Sequence, residues 1–174
     1  DKKLQRENPV VTVYQGEIEG QFSYKQPVVH FADSTVSIII NEKNEIGLIK
    51  VWRHTPLNFS TKNTFPIFPA ADNLGIWSYE AVRGGLEKED SEAIDAAKRE
   101  LKEEVGLEEN AITKIEEMGI IIGNTAIDIY RHSAFKVHIN SEKFQPKPNI
   151  EEGIKELKFF KISELKNLIL QKEL

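Results

Sequence analysis

The hydrophobic and polar positions divide the chain into a β-rich first half and a later segment with helical spacing. Stretches of β-branched and aromatic residues, broken by glycine and proline, predict three short strands at 9–16, 21–25 and 28–32. Two further strands are predicted at 36–40 and 46–52. The strand at 36–40 is nearly continuously apolar, so we expect it to be buried on both faces.

Residues 54–75 contain three prolines and a glycine without clean periodicity, which indicates a long irregular loop. The pattern then changes. From 91 to 105 apolar residues recur every three or four positions, and Gly106 is placed to end the helix in a left-handed conformation. The apolar stripe of this predicted helix consists of Ile94, Ala97, Leu101 and Val105.

The last third of the chain mixes strands with one more helix. Strands are predicted at 112–122, at 128–139 and near 157–161, followed by a closing helix at 163–171. Strands and two helices without regular βαβ alternation predict an α/β fold with a mixed β-sheet flanked by helices.

Composition narrows the function. The chain has 23 Lys and Arg against 28 Asp and Glu, a net charge of −5 that gives no support to nucleic-acid binding. The absence of cysteine excludes disulfides, zinc–thiolate sites and a cysteine nucleophile. No apolar run approaches the roughly 20 residues that span a bilayer, and the polar N-terminus is not a signal peptide. We therefore expect a soluble cytoplasmic protein without a nucleic-acid or membrane partner.

Glu100, Glu103 and Glu104 form one acidic flank of the predicted helix. An i,i+4 pair of like charges and the helix dipole both oppose this arrangement, each by a fraction of a kcal/mol, about 0.2–1. Lys98 and Lys102 lie on the other edge of the helix and are not expected to neutralise the flank. A divalent cation would turn the repulsion into attraction, and carboxylates without cysteine suit Mg²⁺ or Mn²⁺. A solvated acidic helix end is the alternative interpretation.

The segment from Arg99 to Leu107, R-E-L-K-E-E-V-G-L, resembles the second half of the Nudix box, G-x5-E-x7-R-E-U-x-E-E-x-G-U, where U is a bulky aliphatic residue. The segment 80–87, E-A-V-R-G-G-L-E, is similar to the one that leads into the box in the ADP-ribose pyrophosphatase branch. The resemblance extends more loosely over 36–170. It implies a Nudix α/β/α sandwich at 36–174, preceded by an N-terminal β segment at 1–35 that serves in a homodimer.

The resemblance also implies an activity and its metal. The reaction would be hydrolysis of a nucleoside diphosphate linked to another moiety, with ADP-ribose as first candidate, assisted by Mg²⁺ or Mn²⁺. Glu100 and Glu104 would be metal ligands, and Glu103 a ligand or the group that polarises the attacking water. A further ligand would be the main-chain carbonyl of Arg83 or Gly84.

Other roles follow from the same resemblance. Arg99 would orient the carboxylates, and Glu152 would act as base or metal-site partner, although loop carboxylates are usually just solvated. Arg53, Glu80 and Arg83 would bind substrate. From the residues alone, Arg53 suits a phosphate clamp or a surface salt bridge equally well, and Glu80 is typical of the solvent face of a strand.

The first glutamate of the box is replaced in this chain. Counting from Gly84 places Asp90 there, and counting from Gly85 places Ser91 there. We prefer the Gly84 count because it keeps Leu86 at the usual aliphatic position. The resemblance implies that the residue at this first acidic position pairs with Arg99. Either Asp90 or Ser91 would also serve as the N-cap of the helix.

Two alternative functions remain open. One is a Nudix enzyme for another diphosphate substrate, and the other is a non-catalytic module that binds nucleotides. The remaining candidate side chains are interpreted as structural or surface residues; they are His30, His54, His132, His138, Trp52 and Trp77.

Overall fold

The computed structural model describes residues 11–18, 24–53, 76–122 and 128–171. The irregular loop expected at 54–75 lies outside these residues. The strands are β1 Val11–Ile18, β2 Tyr24–Phe31, β3 Ser34–Ile40, β4 Ile46–Arg53, β5 Ile76–Glu80, β6 Val82–Gly85, β7 Ile112–Ile121, β8 Asp128–Ile129, β9 His132–Ile139 and β10 Ile154–Phe160. The two α-helices are α1 Ala93–Val105 and α2 Ile162–Gln171.

The main sheet has seven strands and is mixed, as the sequence predicts. Its central order is β10-β4-β3-β9-β7, with β5 paired to β4 and β6 paired to β3. The pair β3–β9 is parallel, and the other pairs of this sheet are antiparallel. Helix α1 packs on β3 and β6. The α/β fold class with a mixed sheet and helices is therefore confirmed.

The described residues of the N-terminal segment form two strands, where the sequence predicted three. Residues 24–25 of the predicted strand at 21–25 and residues 28–31 of the one at 28–32 belong to one strand, β2, which continues through Pro27. Proline is tolerated where its missing N–H faces no partner strand. On the side away from β1, β2 pairs with β8 at Val29 and His30 and not at Pro27. Strands β1, β2 and β8 make a small second sheet.

The prediction of one continuous strand at 128–139 is also wrong, because this segment forms two strands, β8 and β9. Strand β8 pairs with β2 in the small sheet, whereas β9 pairs with β3 in the main sheet. The chain changes sheets at Tyr130 and Arg131, which belong to neither strand. Strand β3 begins at Ser34, two residues before the boundary expected at 36.

The core lies between helix α1 and the main sheet. The apolar stripe of α1 is buried at Ala97, Leu101 and Val105, against Ile39, Val82 and Val137 among others. Strand β3 is not buried equally on both faces, because Thr35, Ser37 and Ile39 are buried while the alternate residues are half-buried. None of the helices in the described part of the chain is long and apolar enough to span a membrane.

Candidate active site

A cavity of about 440 Å³ opens where several strands of the main sheet end beside helix α1. Its walls come from the starts of β3 and β9, the end of β4, strand β6, helix α1 and the turn before β10. The described lining residues are Ser34, Arg53, Arg83, Gly84, Gly85, Glu100, Glu104, His132 and Glu152. The structure thus brings together residues that lie as far apart in the sequence as positions 34 and 152.

Glu104 is the most unusual residue of the cavity. Only 5 % of its surface is exposed, and its Oε2 has no hydrogen-bond partner among the described residues. Burial, with repulsion from Glu100 and Glu152, raises the pKa of Glu104 to about 8. Such a carboxyl ionises at neutral pH only with help from a nearby cation.

Glu100 lies against the backbone of Gly84, one turn of helix before Glu104. A Cβ placed on Gly84 would come 1.8 Å from the Cδ of Glu100, so that only glycine leaves room for this carboxylate. At Gly85 the added atom would meet nothing within 4 Å. Burial raises the pKa of Glu100, although its bond to Arg99 acts in the opposite direction.

Arg99 holds the outer side of the acidic flank. Its Nη1 donates to Glu100 Oε1 at 2.7 Å and to Glu103 Oε2 at 3.1 Å, and its Nη2 donates to the Gly85 carbonyl at 2.8 Å. Arg99 therefore compensates the charges of both Glu100 and Glu103 from the same helix. As expected, Lys98 and Lys102 do not neutralise the flank, since they pair with Glu109 and Glu108.

Asp90 completes this network. Its Oδ2 accepts from Arg99 Nη2 at 3.0 Å, and only 6 % of its side chain is exposed. The hydrogen bond from Arg99 and another from the backbone N–H of Glu87 lower the pKa of Asp90. Of the two candidates for the first acidic position of the box, Asp90 is the one in contact with Arg99, as the count from Gly84 requires.

The N-cap of helix α1 differs from expectation. The cap is Glu92, rather than Asp90 or Ser91, and its backbone N–H donates to the Asp95 side chain at 3.1 Å. Asp90 is unavailable for capping because its carboxylate already binds Arg99 and Glu87. The C-terminal end is as predicted, with Gly106 at a φ of 72°.

The turn that carries Glu152 is fastened to the end of helix α1. The backbone N–H groups of Lys147 and Asn149 donate to the carbonyls of Val105 and Glu104, at 2.8 and 2.9 Å. The Asn149 side chain in turn donates to Glu152 Oε1 at 3.0 Å. Glu152 therefore reaches the cavity because its turn caps the helix that carries Glu104.

Arg53, Glu80 and Arg83 form an ion-pair cluster at the cavity rim. Arg53 donates to both carboxylate oxygens of Glu80, the shorter bond being 2.7 Å, and Arg83 Nε lies 3.3 Å from Glu80 Oε2. Burial pushes the pKa of Glu80 upward, but the hydrogen bonds from Arg53 and Ser78 outweigh it and lower the pKa to about 2. Arg53 thus takes part in a salt bridge and also lines the cavity.

Glu103 is the one acidic residue of the flank that does not line the cavity in the described structure. Half of its side chain is exposed, and its carboxylate is bound to Arg99. Conversely, sequence analysis missed Ser34 and His132, which do line the cavity. Ser34 Oγ and His132 Nδ1 share a hydrogen bond, and they lie 98 positions apart. No local sequence signal joins them, because they meet only through the parallel pairing of β3 with β9.

The donor set fits a hard divalent cation. In the described part of the chain, no three His, Asp or Glu side chains gather into a ready-made metal cage. The partnerless buried oxygen of Glu104 and the room left by Gly84 for Glu100 are nonetheless the features that a cation bound by carboxylates requires.

A second, larger cavity of about 690 Å³ lies on another face of α1, lined by Lys98, Lys102, Glu108 and Glu109 among others. Its lysines and glutamates pair with one another at 2.9 and 3.2 Å. These charges are exposed and already compensated by one another. Among its described lining residues, this cavity therefore has no buried acid comparable to Glu104 in the 440 Å³ cavity.

Comparison with known proteins agrees with the geometry. The family model of the NUDIX domain matches residues 30–173. No curated protein matches the chain at the significance required. The matched range includes all the described residues that line the 440 Å³ cavity, from Ser34 to Glu152. We call this cavity, which contains Glu100 and Glu104, the carboxylate cavity. The chain therefore belongs to the Nudix hydrolases, pyrophosphohydrolases of nucleoside diphosphate derivatives that generally use divalent metal ions such as Mg²⁺.

Proposed function

We propose that the protein hydrolyses the diphosphate of a nucleoside diphosphate joined to a sugar, with ADP-ribose as the first candidate substrate. The observation that carries the proposal is the buried carboxyl of Glu104, which has one partnerless oxygen and lies in the same cavity wall as Glu100. The products would be a nucleoside monophosphate and a sugar phosphate.

The cavity residues divide the work between metal binding and proton transfer. Glu100, Glu104 and the carbonyl of Arg83 or Gly84 would hold Mg²⁺ or Mn²⁺. When bound, the cation would screen the charge of the diphosphate and lower the pKa of a water molecule. Glu152, kept at the cavity wall by Asn149, would accept the proton of that water.

Arg99 and Glu103 would act from the outer side of the flank. Arg99 fixes the rotamer of Glu100 through a 2.7 Å bond, which makes it a positioning residue. Glu103 stays a candidate for metal binding or for polarising water. Its exposure and its bond to Arg99 make Glu152 the better supported candidate for the base.

Arg53 and Arg83 would bind the phosphates. Glu80 engages Nε and Nη2 of Arg53 and leaves Nη1 without a hydrogen bond among the described residues. Because Glu80 fixes two nitrogens of the guanidinium, the group is oriented so that Nη1 can donate to a phosphate oxygen. Glu80 would therefore bind substrate indirectly, by orienting both arginines.

The test is phosphate release, after treatment with a phosphatase, from a panel of nucleoside diphosphate derivatives with and without Mg²⁺. We expect metal-dependent turnover that is fastest with ADP-ribose. Turnover of a different diphosphate alone would overturn the substrate assignment. Metal-dependent binding without turnover of any compound would instead identify a non-catalytic module that binds nucleotides.

We also propose a homodimer formed through the N-terminal β segment at 1–35. Among the described strands, β1 lies at the edge of the small sheet, and an edge strand offers backbone donors and acceptors to another chain. Light scattering should give about twice the chain mass of 19.9 kDa, and deletion of residues 1–33 should give a monomer or an aggregate. A full-length mass of one chain would contradict this. The cytoplasmic location stays a prediction.

A further inference from the structure

His132 is held in place from several directions at the rim of the carboxylate cavity. Its Nδ1 is engaged by Ser34 Oγ, and the ring packs edge-on against Tyr130 with centroids 4.6 Å apart. The turn before it is fixed by Asp33, whose carboxylate accepts from the backbone N–H of Arg131 at 3.1 Å. A ring restrained in this way is preorganised for contact with a ligand.

Ser34 and His132 form a hydrogen-bonded pair at a cavity that also contains charged side chains. The pair has polar atoms that this hydrogen bond does not use. With Nδ1 engaged, Nε2 is the remaining polar atom of the ring, and it has no hydrogen bond among the described residues. Burial and the neighbouring Arg83 lower the pKa of His132, so that the ring is neutral near pH 7. A neutral imidazole and a hydroxyl together offer both donors and acceptors.

This chemistry differs from that of the rest of the cavity. Phosphate oxygens only accept hydrogen bonds, and they find cationic donors in Arg53 and Arg83. A hydroxyl group both donates and accepts, which matches the neutral Ser34–His132 pair. Ser34 on β3 is paired with Gly85 of β6 on one side and with His132 of β9 on the other. The Ser34–His132 pair therefore lies next to the strand that carries Gly85.

We propose that Ser34 and His132 are specificity-determining residues that hydrogen-bond a hydroxyl-bearing group, such as a sugar, attached to the diphosphate. The proposal rests on the hydrolase function given above, and it concerns the moiety beyond the reacting phosphates. It predicts that the pair affects the binding of substrates that carry a sugar on the phosphate distal to the nucleoside and leaves the chemical step unchanged.

The experiment compares two substrates in wild type, His132→Phe and Ser34→Ala. One is ADP-ribose, and the other is the methyl ester of ADP, which keeps the nucleoside diphosphate ester and has a methyl group in place of the terminal ribose. Phenylalanine keeps a ring against Tyr130 and removes both nitrogens. Loss of a hydrogen bond between uncharged groups should raise KM for ADP-ribose about three- to tenfold, with kcat within twofold, and leave both constants unchanged for the methyl ester.

Two further variants separate recognition from structure. His132→Gln, whose amide can reach toward the Nε2 position, should recover part of the lost affinity. His138→Gln is the matched control, because His138 lies on the same strand and bonds Glu116 at 2.8 Å outside the cavity. It should leave KM unchanged. Thermal midpoints of all variants identify any that fail to fold.

The outcomes distinguish this proposal from the proposed function. Equal losses with both substrates, or a fall in kcat alone, would overturn the role of the pair while the hydrolase function stands. If wild type hydrolyses neither substrate, the dissociation constants of the same two compounds, measured by calorimetry with Ca²⁺, still test the pair. A dissociation constant for ADP-ribose that is unchanged in His132→Phe would then overturn it.

Discussion

The outer and inner sides of the acidic flank on helix α1 differ in how their charges are compensated. On the outer side, Arg99 contacts Glu100 and Glu103 and is itself held by Asp90. On the inner side, Glu104 is buried, and one of its oxygens has no partner among the described residues. Glutamates of one helix therefore lie in two different environments: the outer side is a closed ion-pair network, whereas the inner side keeps a buried carboxyl oxygen without a partner among the described residues.

Removing the inner charge should have the largest effect. Glu104→Gln should lower kcat/KM at least a hundredfold by removing a proposed metal ligand, while Glu108→Gln, which alters a surface pair with Lys102, should have little effect. Thermal unfolding with and without millimolar Mg²⁺ provides the second measurement. Wild type should be stabilised by Mg²⁺ and the variant should not, so equal stabilisation of both proteins would contradict the assignment.

The same variant has a pH signature in metal-free protein. The folded pKa of Glu104, about 8, lies above its ordinary value of 4.5, so the folded state holds this proton more tightly than the unfolded state. Wild type should lose stability as pH rises from 4.5 through 8, by an amount on the order of a few kcal/mol. Glu104→Gln should not show this loss, and it should be the more stable protein at pH 9.

The close approach of Gly84 to Glu100 gives the next largest effect. Gly84→Ala would place a methyl group 1.8 Å from the Glu100 carboxylate, and the displaced side chain would lose its position at the cavity wall. We expect kcat/KM to fall roughly tenfold to a hundredfold, as expected when a reactive geometry is displaced by about 1 Å. Gly85→Ala is the matched control, because an added Cβ meets nothing within 4 Å. Equal activities of the two variants would contradict the proposed role of Glu100.

Weakening the outer network should have a smaller effect. Asp90→Ala removes a carboxylate that holds Arg99, and kcat/KM should fall about tenfold because Arg99 then positions Glu100 less firmly. Ser91→Ala, at the neighbouring position, should change kcat/KM less than twofold. If instead Ser91→Glu increased activity and Asp90→Ala had no effect, the count from Gly85 would be correct.

The smallest effect concerns Glu80, a compensated acid whose pH dependence has the opposite sign to that of Glu104. Its folded pKa of about 2 lies below the ordinary value of 4.5, so its contribution to stability is present above pH 4.5 and is lost as pH falls toward 2. Because the pair with Arg53 is partly exposed, we expect only about 1 kcal/mol. Denaturant unfolding of wild type and Glu80→Gln at pH 5 and pH 3 would measure it, and parallel curves would contradict the contribution.

Local signals explain which parts of the molecule could be predicted. Helix α1 is specified by its apolar period and by Gly106, both of which lie within the helix or directly after it. The contact between Asp90 and Arg99 is equally local, since it spans nine residues. The cap at Glu92 was missed because the Asp90 carboxylate could either cap the helix or bind Arg99. Sequence alone does not show which of these two local hydrogen bonds forms.

The features that sequence did not predict depend on pairing between distant segments. The break between β8 and β9 follows from their belonging to different sheets, which no hydrophobic pattern within 128–139 reports. Likewise, Ser34 and His132 meet only because β3 and β9 are parallel neighbours. Parallel pairing brings together residues that are far apart in sequence, so their shared chemistry has no spacing to recognise.

The fastening of the Glu152 turn to helix α1 has a consequence for how this loop can vary. The hydrogen bonds from Lys147 and Asn149 use only backbone N–H groups, so most side chains could replace Lys147 without changing the path of the chain. The number of residues between these backbone hydrogen bonds and Glu152, in contrast, is constrained. Deleting one residue there would leave the helix capped and withdraw the carboxylate from the cavity. In related chains that keep Glu152, this loop should therefore tolerate changes of composition and resist changes of length.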